Sequence, residues 1–197
     1  MNKELIIRSS SEAVDFALLK DGKLIELHKE QETSNFQVGD IFIAKIRKPV
    51  AGLNAAFVNV GYEKDAFLHY HDLGPNLASQ LKFIKLVSAG KLKDFSLKNF
   101  QFEKEIDKDG SIAEAINANQ SILVQVVKEP ISTKGPRICA ELSLAGRFIV
   151  LVPFSDRVSI SQKIEDKKEK DRLKKLVQSV KPKGFGVIVR TVAEGKS

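Results

Sequence analysis

Two phenylalanines, Phe57 and Phe67, stand near several cationic residues in the first third of the chain. Flat aromatic rings stack on nucleobases and cations contact phosphates, so this combination is typical of a surface for single-stranded nucleic acid. A phenylalanine in a β-strand is also a common core residue, and composition alone leaves both interpretations open. The neighbouring cations are Lys45, Arg47, Lys48 and Lys64.

The segment that must position these rings, residues 36–73, has the pattern of antiparallel β-structure. Short β-prone runs cover 41–46, 55–60 and 66–69, and glycines and a proline separate them. Because Phe57 and Phe67 are ten residues apart, we expect pairing of the last two runs across a turn at 61–64 to bring the rings together.

The overall composition indicates a folded, basic chain. Of its 197 residues 43% are hydrophobic, which is enough for one large domain or two small domains. Lys and Arg outnumber Asp and Glu by 32 to 25, so the expected large partner is a polyanion. The single cysteine, Cys139, excludes an internal disulfide and a multi-thiolate metal site. With no apolar run near 18 residues and no secretory leader, the sequence predicts a cytoplasmic protein without a membrane span.

The order of motifs in residues 36–73 resembles the OB-fold RNA-binding module of the ribonuclease E and ribonuclease G family. In that pattern VGDIFIAKI (38–46) opens a five-stranded barrel, LNAAFVNVG (53–61) is its third strand, and DAFLHYHDL (65–73) follows. Residues 55–61 match an alanine pair, Phe, Val, a polar residue, any residue and Gly. The resemblance implies that Phe57 and Phe67 contact single-stranded RNA.

Residues 1–35 predict a meander of about three strands with a hairpin turn at Asp21 and Gly22. In the family, the equivalent region begins a ribonuclease-H-like subdomain that a later part of the chain completes. We therefore expect these strands either to pack on the barrel or to leave an apolar face and a sheet edge unprotected. The predicted strands cover 4–8, 14–19 and 24–27.

The segment 74–119 is longer than a connection between two strands of such a barrel needs to be. We interpret it as an insertion that is partly helical and partly mobile. Apolar residues between 77 and 86 have helical spacing, and Ser111 and Glu114 have the spacing of a capping box. The apolar run at 122–128 is expected to close the sheet. The predicted OB-fold domain therefore spans 36–142, between the N-terminal strands and a third region at 143–197.

The Thr-Lys-Gly sequence at 133–135, followed by a β-run, matches a loop and strand of the same nucleases. The resemblance implies that Lys134 contacts the RNA backbone or the phosphates near the scissile bond. Lys128 is a second candidate because it lies close in sequence. Without the family context, a solvated turn charge is an equal alternative for either lysine.

Residues 143–197 predict a small α/β unit. An apolar strand at 144–153 precedes an amphipathic helix at 165–180, and a final strand covers 184–191. Glu165 and Asp166 suit the start of the helix. The apolar helix face is predicted from Leu173, Leu176, Val177 and Val180.

This unit resembles the first part of the five-prime sensor of the same family, which recognises a monophosphorylated RNA end. By that resemblance Arg190 and Thr191 hold the terminal phosphate, as a forked guanidinium and a hydroxyl can. Gly146 and Val150 match positions that line the same pocket. Two arginines commonly follow the Ile-Ser pair in the family, and this chain has Gln162 and Lys163 instead.

Two other patterns do not predict a site. The ending Gly195-Lys196-Ser197 is not a phosphate-binding loop, because Arg190 stands where the first glycine would be. His69 and His71 share a strand face, but no further ligand cluster accompanies them, so no metal site is predicted.

The resemblance covers essentially the whole chain but corresponds to the N-terminal portion of the family. Its Mg-assisted phosphodiester cleavage uses aspartates in a later deoxyribonuclease-I-like domain, and its zinc link is a later Cys-x-x-Cys motif. Neither is in this sequence. The resemblance therefore implies an RNA-binding fragment that has no nuclease activity and no cofactor on its own. The full-length protein is expected to be a homo-oligomeric endoribonuclease that needs Mg.

The sequence thus predicts an α+β, mainly β protein, made of a five-stranded OB-fold barrel with a long insertion and a small α/β sensor subdomain. The favoured function is RNA binding within RNA processing and decay, with five-prime monophosphate sensing. One alternative is a self-standing OB-fold RNA-binding protein of ribosome or mRNA metabolism. Another is an interaction module whose basic helix face, 167–175, meets an acidic partner.

Overall fold

The computed structural model describes residues 2–10, 13–31, 36–92, 94–131 and 133–196. Within these ranges the chain forms twelve β-strands and three α-helices, which confirms the mainly β, α+β class. Residue contacts divide the chain into unit 1, Met1–Gln37, and unit 2, Val38–Ser197. The finer domain boundaries at 35/36 and 142/143 stay predictions. No helix of the described residues is both long and apolar enough to cross a membrane.

Unit 1 contains an antiparallel sheet in the order β1-β2-β3, as the sequence predicted. Its second hairpin turns at Asp21 and Gly22, whose φ angles of 48° and 76° are both positive. Two successive positive φ values suit an Asp-Gly hairpin turn, because its twist matches that of the strands. The strands are β1 (Lys3–Ser9), β2 (Ala13–Lys20) and β3 (Lys23–Gln31).

The sheet of unit 1 carries exposed apolar side chains on both faces. Pairing places Leu5 opposite Leu18 on one face, while Ile6 alternates to the other face opposite Ala17. Six apolar side chains are more than half exposed: Leu5, Ile6, Ile7, Leu24, Ile25 and Leu27.

Unit 2 contains a closed barrel with the strand order β4-β5-β6-β8-β7, which confirms the predicted five-stranded barrel. Its strands are β4 (Ile41–Val50), β5 (Ala55–Asn59), β6 (Ala66–His69), β7 (Ser121–Lys128) and β8 (Arg137–Cys139). The run at 55–61 is the second barrel strand, so its assignment as the third was wrong. The reason is that β4 is one long strand, which pairs with β7 through its first half and with β5 through its second.

Alternate residues of the barrel strands face inward, and most of the residues between them face outward. The inward positions are small or β-branched on most strands, and such side chains suit the interior of a small barrel. Phe57 and Phe67 occupy outward positions between these buried residues. The inward residues, all at most 2% exposed, are Ala44, Ile46, Ala56, Val58, Ala66, Leu68, Ile122, Val124, Val126 and Ile138.

The insertion between β6 and β7 contains α1 (Leu77–Ser88) and α2 (Ile112–Ala115). Asn54 holds the end of the insertion against the barrel. Its side chain accepts a hydrogen bond from the Ile112 N–H at 2.7 Å and donates one to the Gly110 carbonyl at 3.1 Å. Ser111 occupies the N-cap position of α2, but its side chain forms no capping bond, so the predicted capping box was wrong. The Asn54 amide takes over that role from 58 residues away.

The remaining strands of unit 2 form a sheet in the order β11-β12-β10-β9, covered by α3. The run at 144–153 forms two strands joined by a hairpin, whereas a single strand was predicted. Glycine at 146 breaks the apolar run, because it contributes no side chain to a strand. The elements are β9 (Leu144–Ala145), β10 (Ile149–Pro153), β11 (Val158–Ile160), α3 (Lys167–Val180) and β12 (Phe185–Val189).

Helix α3 connects the parallel strands β11 and β12. Asp166 caps it, with its carboxylate accepting the Lys168 N–H at 2.9 Å. Leu173 and Val177, one turn apart, are buried against the sheet. Leu176 and Val180 are 40% and 73% exposed, so the buried stripe is narrower than the predicted apolar face.

Candidate nucleic-acid interface

Phe57 and Phe67 lie directly opposite each other on β5 and β6. Opposite residues of an antiparallel pair project from the same face, here the outside of the barrel. Their ring centroids are 6.2 Å apart with planes at 70°, and Phe57 is 38% exposed. The predicted pairing of the two runs is therefore confirmed, and the rings are not walled off inside the barrel.

A cleft of about 680 Å³ opens beside the two rings. All four residues predicted to bind RNA line it, namely Phe57, Phe67, Lys128 and Lys134. Its ionisable side chains are four cations and two carboxylates, so the local balance favours an anion. These are Lys64, Lys128, Lys134 and Arg137 against Asp65 and Glu129. Within the described part of the chain, neither Lys128 nor Lys134 forms an ion pair.

The loop that carries Lys134 is held close to the rings by backbone contacts. Ile131 and Lys134 exchange two backbone hydrogen bonds, of 3.2 and 3.0 Å. Gly135 then lies against the backbone of Lys64 and Asp65, with no room for a β-carbon. The Phe67 N–H donates to the Pro136 carbonyl at 3.0 Å. The Thr-Lys-Gly motif therefore places Lys134 at the edge of the aromatic surface.

The sequence reasoning missed Arg137 and Ile131. Arg137 pairs with Phe67 across β8 and β6, and its guanidinium binds both oxygens of Asp72 at 2.8 to 3.2 Å. Ile131 is 70% exposed at the cleft. Alternation on the predicted β-run after Thr-Lys-Gly could have placed Arg137 outward, because Ile138 is plainly an inward residue.

His69 and His71 form a ring pair next to this surface, with centroids 5.0 Å apart and planes at 38°. The His69 Nδ1 accepts the His71 backbone N–H at 3.2 Å, so this nitrogen is already used. Among the described residues no group of three or more His, Cys, Asp or Glu side chains could hold a metal ion.

Cys139 follows Arg137 at the end of β8. Its Sγ donates a hydrogen bond to the Glu141 carbonyl at 3.3 Å. Burial, and then the nearby carboxylates of Asp72 and Glu141, raise the pKa of this thiol to about 11. The thiol is therefore protonated near neutral pH and does not act as a nucleophile there.

The second predicted site is on the sheet that α3 covers. The Arg190 Nη1 donates to the Gly146 carbonyl at 2.7 Å, and its backbone N–H donates to the Phe148 carbonyl at 2.8 Å. Val150 pairs with Ile188 on the sheet face opposite the helix, since Ile149 and Leu151 pack under α3. The structure thus brings Gly146, Val150 and Arg190 together.

Thr191 lies next to Arg190, but its hydroxyl is already in a hydrogen bond. Its Oγ1 is 2.9 Å from the Oγ of Ser161, a residue to which the sequence reasoning gave no role. Either hydroxyl can be the donor, so Thr191 retains a lone pair or proton for a ligand. Gln162 and Lys163, which replace the family arginines, are exposed.

Comparison with known proteins identifies the family. A model of the ribonuclease E/G family matches residues 143–197. Ribonuclease G of Escherichia coli K12 is 33% identical over 195 residues, which is 99% of this chain and 36% of that protein. Ribonuclease E of Nostoc sp. is 34% identical over the full chain and 24% of its own length. The chain belongs to the ribonuclease E/G family.

The match covers only part of the length of ribonucleases E and G. Ribonuclease E of Synechocystis sp. is 36% identical over 163 residues, which is 82% of this chain and 20% of that protein. The chain therefore spans about a third or less of the curated relatives named here. Both the aromatic cleft and the Arg190 site lie within the part shared with ribonuclease G of Escherichia coli K12, which covers 99% of this chain.

Proposed function

We propose that this chain binds single-stranded RNA along the cleft beside Phe57 and Phe67. The observation that carries the proposal is the outward pairing of the two rings next to Lys128 and Lys134. Rings accept bases of any sequence and lysines accept the phosphates between them. A duplex would keep its bases stacked on one another, so the rings suit an unpaired strand.

The angle between the two rings limits how they can stack on RNA bases. Planes at 70° cannot both lie parallel to one base. One base stacks on the face of Phe57 while the next meets Phe67, and each stack contributes roughly 1 to 3 kcal/mol. Lys128 and Lys134 neutralise phosphates and release counterions, so affinity falls as the salt concentration rises.

The proposal extends to five-prime end recognition at Arg190. A guanidinium has five N–H donors, and Arg190 uses one of its Nη1 donors on Gly146. The remaining donors can fork onto the oxygens of a terminal monophosphate, with the Thr191 hydroxyl beside them. Gly146, which carries no side chain, and the apolar Val150 would border the terminal nucleotide beside Arg190.

The wider role belongs to the same proposal. Ribonucleases E and G are much longer than this chain. For a protein of that length we propose Mg-assisted cleavage of RNA, homo-oligomeric assembly and a role in RNA processing and decay. For the chain alone we propose RNA binding without cleavage. The reducing cytoplasm is the proposed setting, which suits the lone Cys139.

Fluorescence anisotropy with a labelled, unstructured RNA tests the binding function. Phe57→Ala is expected to weaken binding about 5- to 100-fold across sequences, because one stacking face is lost. Phe95→Ala is the matched control, since Phe95 is 64% exposed and does not line the cleft. Salt-independent binding, or equal affinities of the two variants, would refute the proposal. Cleavage of RNA by the pure chain with Mg would refute the binding-only role.

A further inference from the structure

The outward face of β6 continues beyond Phe67. His69 is two residues later on the same strand, so its side chain projects from the same face roughly 7 Å further along. The pairing of Ala55 with His69, next to that of Phe57 with Phe67, fixes this register. The three aromatic residues therefore share one outer face, with Phe57 beside Phe67 across the strands and His69 beyond Phe67 along β6.

His71 adds one more ring beyond His69. Its ring lies 5.0 Å from that of His69, and it is an exposed residue at the end of the strand. The capping bond from the His71 N–H to the His69 Nδ1 holds the two histidines in this arrangement. A short 3₁₀ helix (Tyr70–Asp72) supports them, with Tyr70 buried beneath.

Arg137 joins the cleft to the histidine pair. Its backbone pairs with Phe67, whereas its guanidinium reaches Asp72, directly after His71 in sequence. The side chain therefore spans from the level of Phe67 to the end of the 3₁₀ helix. Because both Asp72 oxygens accept from it, the guanidinium plane is fixed and part of it stays exposed.

We propose that His69 and His71 form a second base-stacking subsite of the RNA surface, reached over Arg137. This inference rests on the proposed RNA binding. It adds that the binding surface covers a longer stretch of single-stranded RNA than the two phenylalanine rings alone. A base leaving the Phe67 ring next meets the Arg137 plane and then the exposed face of His71. Imidazole rings stack on bases of any identity, so the subsite extends the footprint without adding sequence preference.

The metal alternative for the two histidines is weaker. A metal site needs further ligands, and none completes such a group among the described residues. His69 has already used Nδ1, so only its other nitrogen could ligate. Stacking needs only the ring faces, which this hydrogen bond leaves free.

The test measures affinity against RNA length. Labelled oligouridylates that grow by one nucleotide at a time are titrated with the whole chain at one salt concentration. The wild type should gain affinity in two stages, the first from the phenylalanine rings and the second from the histidine pair. His71→Ala should abolish only the second gain, a loss of about 5- to 100-fold on the longer oligomers. His71→Phe should keep it, because an aromatic face remains.

The controls separate the inference from the function on which it rests. Phe57→Ala should weaken binding at every length, and Phe95→Ala should change none. Thermal melting by circular dichroism confirms that each variant folds. Wild-type affinity of His71→Ala at all lengths would overturn the histidine subsite and leave RNA binding intact. Equal losses in His71→Ala and His71→Phe would also overturn stacking, and a wild type that binds no length would refute the function itself.

Discussion

The backbone of Gly135 lies against the carbonyl of Asp65, so closely that a β-carbon at position 135 would overlap that oxygen. Asp65 directly precedes β6, and Gly135 directly follows Lys134. This contact therefore fixes the lysine loop to the strand that carries Phe67. Neither neighbour can move freely, because the obstacle is backbone rather than the end of a flexible side chain.

Gly135→Ala is accordingly expected to push the lysine loop away from the rings. Overpacking of this kind costs about 1 to 3 kcal/mol of the free energy of unfolding. RNA affinity should fall as well, because Lys134 moves away from the phosphate path. Urea unfolding and anisotropy measure the two effects. Gly52→Ala is the control, since a β-carbon there meets nothing within 4 Å. Equal stabilities of the two variants would contradict the packing argument.

Arg190→Ala should remove the preference for five-prime monophosphate RNA over five-prime hydroxyl RNA. The guanidinium is the group proposed to fork onto the terminal phosphate, while the internal phosphates are bound elsewhere. Affinity for the hydroxyl RNA should therefore change little. Competition titrations with the two RNAs measure the ratio, and Phe57→Ala should lower both affinities alike. An equal loss on both RNAs in Arg190→Ala would contradict the assignment.

Cys139 should react slowly with iodoacetamide at neutral pH. Burial and two carboxylates raise the pKa of its thiol to about 11, so little thiolate is present below that pH. The alkylation rate should rise steeply towards pH 11. Stability should fall between pH 9 and 11, because the unfolded chain, with its ordinary pKa of 9.0, loses its proton first. Denatured protein is the reference, and a native rate equal to its rate would contradict the burial argument.

The barrel could be predicted from the sequence because its signals are local. Alternation in 41–46, 55–60 and 66–69 reports which barrel residues face inward. In the sheet of unit 1, Asp21-Gly22 likewise fixes a hairpin turn without help from the rest of the chain. The ring pair followed from the same alternation. Of the candidate site, Phe57, Phe67, Lys128 and Lys134 line one cleft, and their contact with RNA stays a prediction.

The errors concern contacts between residues distant in sequence. The α2 cap comes from Asn54, and the Asp72 partner of Arg137 is 65 residues away, so neither has a local signature. Leu176 and Val180 fit the helical apolar pattern, but of the four residues only Leu173 and Val177 are buried against the sheet. Periodicity identifies an apolar face, and the partner surface determines how much of it is buried.

The last prediction concerns acid stability at the start of α3. Glu169 accepts two hydrogen bonds from Arg172, at 2.6 and 2.7 Å, and a third from the Gly195 N–H at 2.8 Å. These bonds, the arginine first, lower the pKa of Glu169 to about 2 from an ordinary 4.5. The stabilisation is therefore complete above pH 4.5 and is lost as the pH falls towards 2.

Glu169→Gln cannot titrate, so its stability should lack this loss. The difference in free energy of unfolding between wild type and Glu169→Gln, measured by urea at successive pH values, should shrink as the pH falls from 4.5 to 2. Glu165→Gln is the matched control. Glu165 is an exposed acid just before the same helix, and within the described residues its side chain forms no hydrogen bond. A difference that stays constant with pH would show that Glu169 does not hold Gly195 through its charge.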